Sequence, residues 1–297
     1  MKQICLHCRR MAANQSIYCP ELDCPAERAP YVFERGEWME DLEILHLVAV
    51  LRTATLYTAQ QHGKTVLLKV AHPGGTNVER LKRETAFLAT LPADHPQRCL
   101  LPYLLPPYLG ATTDEDLYGA TIVHDHLVHF ALFAAAEGES LGLLLQQHAP
   151  LWINDAGWIA MQLADALGLM HDHGALHLSL TPESLLIRRD GSNMPRILLW
   201  DLGSVWAYAQ DDSSSTVDRE TACTPAVSPA YLAPELDQLQ GKIPTPSPAT
   251  DVYGIGVVFF ETLVGKPMYA NAMRSDLSIS RDVRTAQRHL MTRKVDA

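Results

Sequence analysis

Two periods run through the apolar positions of this chain, and together they divide it. Ile44 to Val50, Thr55 to Ala59 and Thr65 to Val70 are short runs rich in β-branched and other apolar residues, the composition of strands. The Gln61-His62-Gly63-Lys64 stretch between the last two has the chemistry of a turn. From Asn77 to Leu91 the period lengthens to that of a helix, with Leu81, Leu88 and Leu91 on one face. Glu84 falls on that same apolar face. A carboxylate there needs a partner, because burying an unpaired charge is costly. Lys69, standing among the apolar residues of the preceding strand, supplies one.

Prolines punctuate residues 92 to 109, which read as connections. His124-Asp125-His126 and His129 read as an ordinary strand end, with residues 124 and 126 on one face, rather than as metal ligands. A second helical period begins after Asn154 or Asp155, either of which can cap it. It runs to about His173 with Ile159, Leu163, Leu167 and Met170 as its stripe, and Gly174 ends it. Residues 238 to 248 read as loop. Asp251 to Glu261 is apolar on nearly all sides, as a central buried helix should be, and Asp251 brings a favourable negative charge to its N-terminus. Arg281 to Lys294 can form a polar helix.

Composition narrows the class. Hydrophobic residues make up 47% and charged residues 20% of 297, the balance of a core-forming globular chain. The net charge of −10 disfavours a general nucleic-acid or membrane-surface binder. No apolar run approaches a membrane span, and the first residues lack a signal-peptide core, so a cytoplasmic location is expected.

Four of the six cysteines crowd into the first 24 residues. Cys5 and Cys8 form one close pair, Cys19 and Cys24 another, and a short polar loop separates them. Two such pairs can place four thiolates around one tetrahedral zinc. Residues 1–36 carry too few apolar residues to fold alone, so a structural zinc module is expected. The second pair is more widely spaced than usual, and His7 could replace one thiol. The alternatives are cysteines without a shared role and a redox pair.

The stretch from His177 to Gly203 carries the most specific signal. His177-Leu178-Ser179-Leu180-Thr181-Pro182-Glu183-Ser184 followed by Asp201-Leu202-Gly203 resembles the catalytic loop and metal-binding turn of the protein kinases, H-R-D-L-x-x-x-N and D-F-G. Val66 to Lys69 resembles the V-A-I-K strand, Phe130 to Leu141 the strand and hinge between lobes, Ser228 to Glu235 the A-P-E anchor, and Asp251 to Glu261 the central helix.

The resemblance implies an α+β, two-lobed protein-kinase-like domain over 40–297. A β-rich small lobe at about 40–136 and a helical large lobe at about 137–297 would follow a zinc-ribbon-like module at 1–36. It implies that Lys69 and Glu84 pair to align ATP phosphates, that Asp201 is a magnesium ligand, and that Phe133, Ala134 and Ala136 line an adenine site. His177 would pack the loop.

The departures bear on chemistry. Ser179 stands where the family has its catalytic aspartate, and a hydroxyl is a poor base near neutral pH; losing a positioned base typically removes ~10²–10⁴-fold of rate. Ser184 replaces the metal-binding asparagine, Thr181 a lysine, and Leu178 the arginine that receives an activation-loop phosphate. Ala49, Leu51 and Ala54 fall where the family has phosphate-loop glycines, leaving Arg52 as the only compensating charge. The expectation is a pseudokinase: a regulatory or scaffolding module that can bind ATP and works through a protein partner, an active kinase among the candidates. The alternative is a weakly active Ser/Thr protein kinase using Lys69, Glu84 and Asp201. After Pro267 the resemblance fades, so the large lobe is short, covered by a partner, or continued beyond this sequence.

Overall fold

The apolar runs of the first half extend into long, paired strands. The computed structural model describes residues 2–3, 31–51, 53–110, 117–203, 205–207, 231–236 and 246–269. Short strands β1 (Lys2–Gln3) and β2 (Tyr31–Val32) pair with each other. β3 (Trp38–Met39), β4 (Leu42–Val50), β5 (Ala54–Gln61) and β6 (Lys64–Ala71) form an antiparallel meander. Helix α1 (Gly75–Thr90) follows; then β7 (Leu104–Leu105) and β8 (Gly119–Val123) share one edge of β9 (His126–Ala134), whose other edge pairs with β6.

The predicted turn at Gln61–Lys64 is a two-residue hairpin, and a second one lies between β8 and β9. His62 and Gly63 take positive φ of 49° and 78° at the first, as the twist of a tight hairpin requires. His124 and Asp125 do the same at the second, with φ of 49° and 64°. This corrects the reading of 124–126 as a strand end: His124 is in the turn, and only His126 enters a strand. No glycine marks that turn, which is why the sequence hid it.

The small-lobe sheet is buried on both faces, so β6 reads as a continuous apolar run from Val66 to Ala71 interrupted only by Lys69. One face carries Ile44, Tyr57, Leu68 and Leu132 and is covered by Val32 and Phe33. The Phe33 amide donates to the Tyr57 hydroxyl at 3.0 Å, and the rings meet edge to face. Burial holds the Tyr57 hydroxyl protonated well above the usual phenol range, against the Phe33 amide, which favours the ionised form. The other face carries Ala49, Leu56, Leu67 and Phe133 and belongs to one core with the large lobe.

The large lobe begins at β10 (Glu139–Ser140), with Ser140 capping α2 (Leu141–His148). Helix α3 (Ile153–Asp172) buries the predicted stripe Ile159, Leu163, Leu167 and Met170. It starts at Ile153, so Asn154 and Asp155 lie inside its first turn, and Asp155 instead pairs with Arg189. Strands β11 (Ala175–Leu176), β12 (Leu185–Arg189), β13 (Pro195–Leu199) and β14 (Trp206–Ala207) frame the loop region.

Helix α4 (Pro248–Val264) begins earlier than expected, because Ser247 and Thr250 form a reciprocal capping box with Pro248 in the first turn. It runs antiparallel to α3: His171 meets Asp251 at one end, and the Leu151 amide donates to Thr262 O at the other. Val252 and Val264 are exposed among the described residues, so α4 is less enclosed than its composition implies.

Candidate functional site

Three elements deliver one buried charge cluster. The register pairs Leu56 and Ala131 with Lys69 on either side, placing Lys69 on the face of β6 that looks toward the large lobe. Helix α1 brings Glu84 to it, and the end of β13 brings Asp201. Lys69 Nζ lies 2.5 Å from Glu84 Oε2 and 2.7 Å from Asp201 Oδ1. Backbone amides add to the cluster: Leu202 N donates to the other Glu84 oxygen, Oε1, at 3.1 Å, and Gly203 N to Asp201 Oδ1 at 3.2 Å. The pairing of Lys69 with Glu84 follows the helical periodicity; the third member does not, since 132 residues separate it from Lys69.

Electrostatics within the cluster are uneven. Burial opposes the charge on Lys69, but Asp201 and Glu84 outweigh it and hold the amine above its ordinary value. Burial likewise opposes ionisation of Asp201, yet the Lys69 charge and its hydrogen bond keep that carboxyl below its usual range. Glu84 goes the other way: complete burial pushes it up, and the neighbouring Asp201 charge limits what Lys69 can offset. Two carboxylates share one buried amine, and Asp201 keeps 13% of its side chain exposed.

The loop keeps its backbone and changes its side chains. His177 is fully buried; its Nε2 faces the carbonyl oxygen of Asp201 at 2.6 Å and so donates, while Nδ1 accepts from Ser179 N at 3.3 Å. Burial lowers its pKa, consistent with a neutral ring. Asp251 reaches back from α4 to accept from His177 N at 2.9 Å and Leu178 N at 2.8 Å, and His171 contacts it too. These bonds hold Leu178 at φ of 65°, a left-handed conformation that few branched side chains adopt. The sequence had given Asp251 only a helix-dipole role; its work is to fasten the loop.

Ser179 is buried, and among the described residues no hydrogen bond joins its hydroxyl to a carboxylate. Ser184 is buried and turned inward: its hydroxyl donates to Thr181 O at 2.7 Å and accepts from Thr181 N at 3.0 Å, closing a capping box over the short helical turn Pro182–Ser184.

One buried apolar cluster spans the two lobes. Ala49, Leu51, Leu56, Leu67 and Phe133 from the small lobe and Leu186 and Trp200 from the large lobe are each at most 6% exposed and share one apolar cluster. Leu51 sits at a tight turn, with Leu51 N donating to Ala54 O at 2.9 Å. His72 pins that turn from behind, by its amide to Thr53 O at 2.8 Å and by Nε2 to Leu51 O at 2.7 Å. Thr53 then presses on the Asp201-Leu202-Gly203 turn, where a Cβ on Gly203 would lie 2.9 Å from Thr53 Oγ1. The Trp200 ring stands 5.6 Å from Lys69 Nζ, and its Nε1 has no hydrogen-bond partner among the described residues.

Phe133 is buried opposite Leu67, and Ala134 N donates to Tyr103 O at 2.8 Å, which occupies one backbone group expected to meet a base. Ala136 lies in the half-exposed connection between lobes. Gly138 is required there: at φ of 150° a Cβ would come within 3.0 Å of Ile187 O. The charges suit a metal–phosphate group, and the residues beside them are apolar and buried. The sequence reading missed Leu67 and Trp200. Their signals were available, since Leu67 shares a strand face with Lys69 and Trp200 directly precedes Asp201.

Cys5, Cys8, Cys19 and Cys24 lie outside the described residues, as do Arg52 and residues 208–230. Among the described residues no group of three or more His, Cys, Asp or Glu is placed to hold a metal ion.

The protein kinase domain model matches residues 116–296. Relatives include the serine/threonine-protein kinase PDK1 of Cryptococcus neoformans var. grubii, 32% identical over 146 residues, or 49% of this chain and 11% of that protein. The serine/threonine-protein kinase dkf-1 of Caenorhabditis briggsae is 27% identical over 261 residues, 82% of this chain and 30% of that protein. A TBC domain-containing protein kinase-like protein of Homo sapiens is 31% identical over 153 residues, 48% of this chain and 16% of that protein. The chain thus spans less than a third of the length of these relatives. The crystal structure of a kinase domain superposes with a TM-score of 0.58 at 15% identity, covering 81% of this chain and 69% of that one. With a family model over more than half its length and the two-lobed architecture around Lys69, Glu84 and Asp201, the chain belongs to the protein kinase domain family.

Proposed function

We propose that the chain is a pseudokinase, a kinase-fold module that regulates or scaffolds a protein partner, with an active kinase as the first candidate partner. The observation that carries this reading is the loop. Ser179 stands where a general base is needed, and the nearby carboxylates Asp201 and Glu84 are engaged by Lys69 and by backbone amides.

Protein kinase domains generally use ATP and Mg²⁺. In this chain Lys69 and Asp201 are the groups that would face phosphate and metal, while Ala49 and Leu51 stand where the family has phosphate-loop glycines and are packed in one buried apolar cluster with Leu67 and Trp200. Nucleotide binding is therefore expected to be weak. The alternative, a low-activity Ser/Thr kinase, is favoured by the intact charge cluster and by the kinases among the relatives.

Thermal unfolding with millimolar ATP and Mg²⁺, followed by a phosphoryl-transfer assay on wild type and Ser179→Asp, separates the two. No shift and no transfer support the pseudokinase. A Mg²⁺-dependent shift with transfer that Lys69→Met abolishes establishes the enzyme instead.

The cysteine module remains part of the proposal. A zinc held by Cys5, Cys8, Cys19 and Cys24 is supported by their spacing and by the β1–β2 ladder, which brings together the two ends of the segment that carries them. Metal analysis of the purified chain should return one zinc per molecule, reduced in Cys5→Ser or Cys19→Ser. Among the described residues no helix is long and apolar enough to cross a membrane.

A further inference from the structure

A helix at the surface of a globular protein normally turns polar and charged residues to solvent. Helix α3 does not. Its stripe of Ile159, Leu163, Leu167 and Met170 faces the core, yet the opposite side is apolar too. Ile153 is 67% exposed, Trp158 41% and Met161 59%, and Trp152, just before the helix, is 79% exposed. Val264 of α4 is exposed at the same end, where the Leu151 amide meets Thr262 O. Between Ile153 and Gly168 this side of α3 carries one charge, Asp165. An apolar patch with two tryptophans and a methionine has the composition of an interface core.

The area fits a second protein surface. Burying Trp152, Ile153, Trp158 and Met161 removes roughly 500 Å² per copy, or on the order of 1,000 Å² for two copies, where specific interfaces begin. The lack of charge fits a second copy of this chain. Each copy has a net charge of −10, so two can approach closely only through a face that is nearly uncharged.

The order of residues along the helix points the same way. Gly157, Met161, Ala164 and Gly168 recur at i, i+4, i+7 and i+11 and share this side. The bulky Ile153 and Trp158 belong to its N-terminal half, and the small Ala164 and Gly168 to its C-terminal half. Such a face is its own complement when a second helix runs antiparallel to it. With the two-fold axis at Met161, Trp158 falls opposite Ala164 of the partner subunit, and Asn154 opposite Gly168 of the partner subunit. The glycines have no other use among the described residues: neither takes a positive φ, and a Cβ at Gly157 or Gly168 would meet no atom within 4 Å. Glycine inside a helix costs stability relative to alanine, and close approach of another helix accounts for keeping it.

We propose that this side of α3 is a two-fold interface, through which two copies of the chain associate by antiparallel pairing of their α3 helices. The interface is isologous, so it closes at the dimer and does not propagate.

The test is sedimentation equilibrium of the full chain between about 1 and about 100 µM, a range chosen for an interface at the small end of the usual sizes. Wild type should pass from 32.9 kDa to twice that mass with a Kd on the order of 10 µM. Met161→Lys sets two like charges against each other at the axis and should weaken association about tenfold or more. Gly168→Leu adds bulk where the chain itself has open space, so it should melt at or above the wild-type temperature and still weaken association about tenfold or more. Because its own fold tolerates the added side chain, Gly168→Leu keeps the test intact if Met161→Lys fails to fold. A wild-type monomer at about 100 µM overturns the proposal and leaves the face to another segment of the chain or a different protein. Association that both folded variants keep at wild-type strength, or that continues beyond the dimer, overturns it as well.

Discussion

The two halves of the cleft differ in what they have kept. In the charge cluster, Lys69 and Glu84 of the small lobe and Asp201 of the large lobe retain all their charges and are locked together at 2.5 and 2.7 Å. On the loop side Ser179 and Ser184 carry no charge, yet the backbone there keeps a left-handed Leu178 fastened by Asp251. Charge survives where it is buried and mutually paired, so that removing one member strands the others. In the loop, where Ser179 and Ser184 stand in place of the family's aspartate and asparagine, the side chains have changed and the frame has stayed. The difference teaches that retained kinase residues are not by themselves a sign of catalysis: a largely buried ion cluster can be held in place by the cost of breaking it.

The comparison is broken most directly at Lys69. Lys69→Met leaves two buried carboxylates without their cation and should cost about 3–5 kcal/mol by denaturant unfolding. A loss under about 1 kcal/mol would mean the cluster is hydrated and poised for a ligand instead.

The next largest effect is expected at the frame of the loop. Asp251→Asn keeps the shape but weakens the acceptor of the His177 and Leu178 amides, and should cost about 2–3 kcal/mol.

Below it comes a pH effect on the loop side. Burial, with Glu183 nearby, pushes Glu261 up to about 7 against the hydrogen bond from Tyr231. A raised carboxyl pKa means the folded state holds the proton more tightly than the unfolded chain. The associated stability is therefore full below about pH 4.5 and lost as pH rises toward 7, on the order of 2 kcal/mol. Melting curves between pH 5 and about 8 should show this decline, and Glu261→Gln should flatten it.

The smallest effect sharpens the contrast. Ser184→Ala removes the reciprocal bonds to Thr181 and should cost about 1 kcal/mol, as loss of a helix cap does. Ser184→Asn should not restore Mg²⁺-dependent stabilisation, because the side chain at 184 is turned into the loop rather than toward Asp201.

Much of this was legible in the chain. The strand runs, the period of α1 and the position of Glu84 on its apolar face are local patterns, and a buried carboxylate in such a pattern calls for a cation nearby. The α3 stripe and the Gly174 stop were equally plain. The His124-Asp125 hairpin was not, because its turn uses neither glycine nor proline. The start of α4 was displaced by a capping box formed by Ser247 and Thr250, which a reading anchored on the apolar run at Asp251 passes over.

The sequence alone determined the order of elements, the Lys69–Glu84 pairing and the loss of a carboxylate at Ser179, since each depends on residue identity and on neighbours within one element or the next. Tertiary structure alone decided that Asp201 joins the pair, that Asp251 fastens the loop, and that Leu51, Leu67 and Trp200 share one buried core. The reason is distance along the chain. Lys69 and Asp201 are separated by 132 residues, and His177 and Asp251 by 74. No local period records which side chains meet across such separations; only the packing of one lobe against the other does.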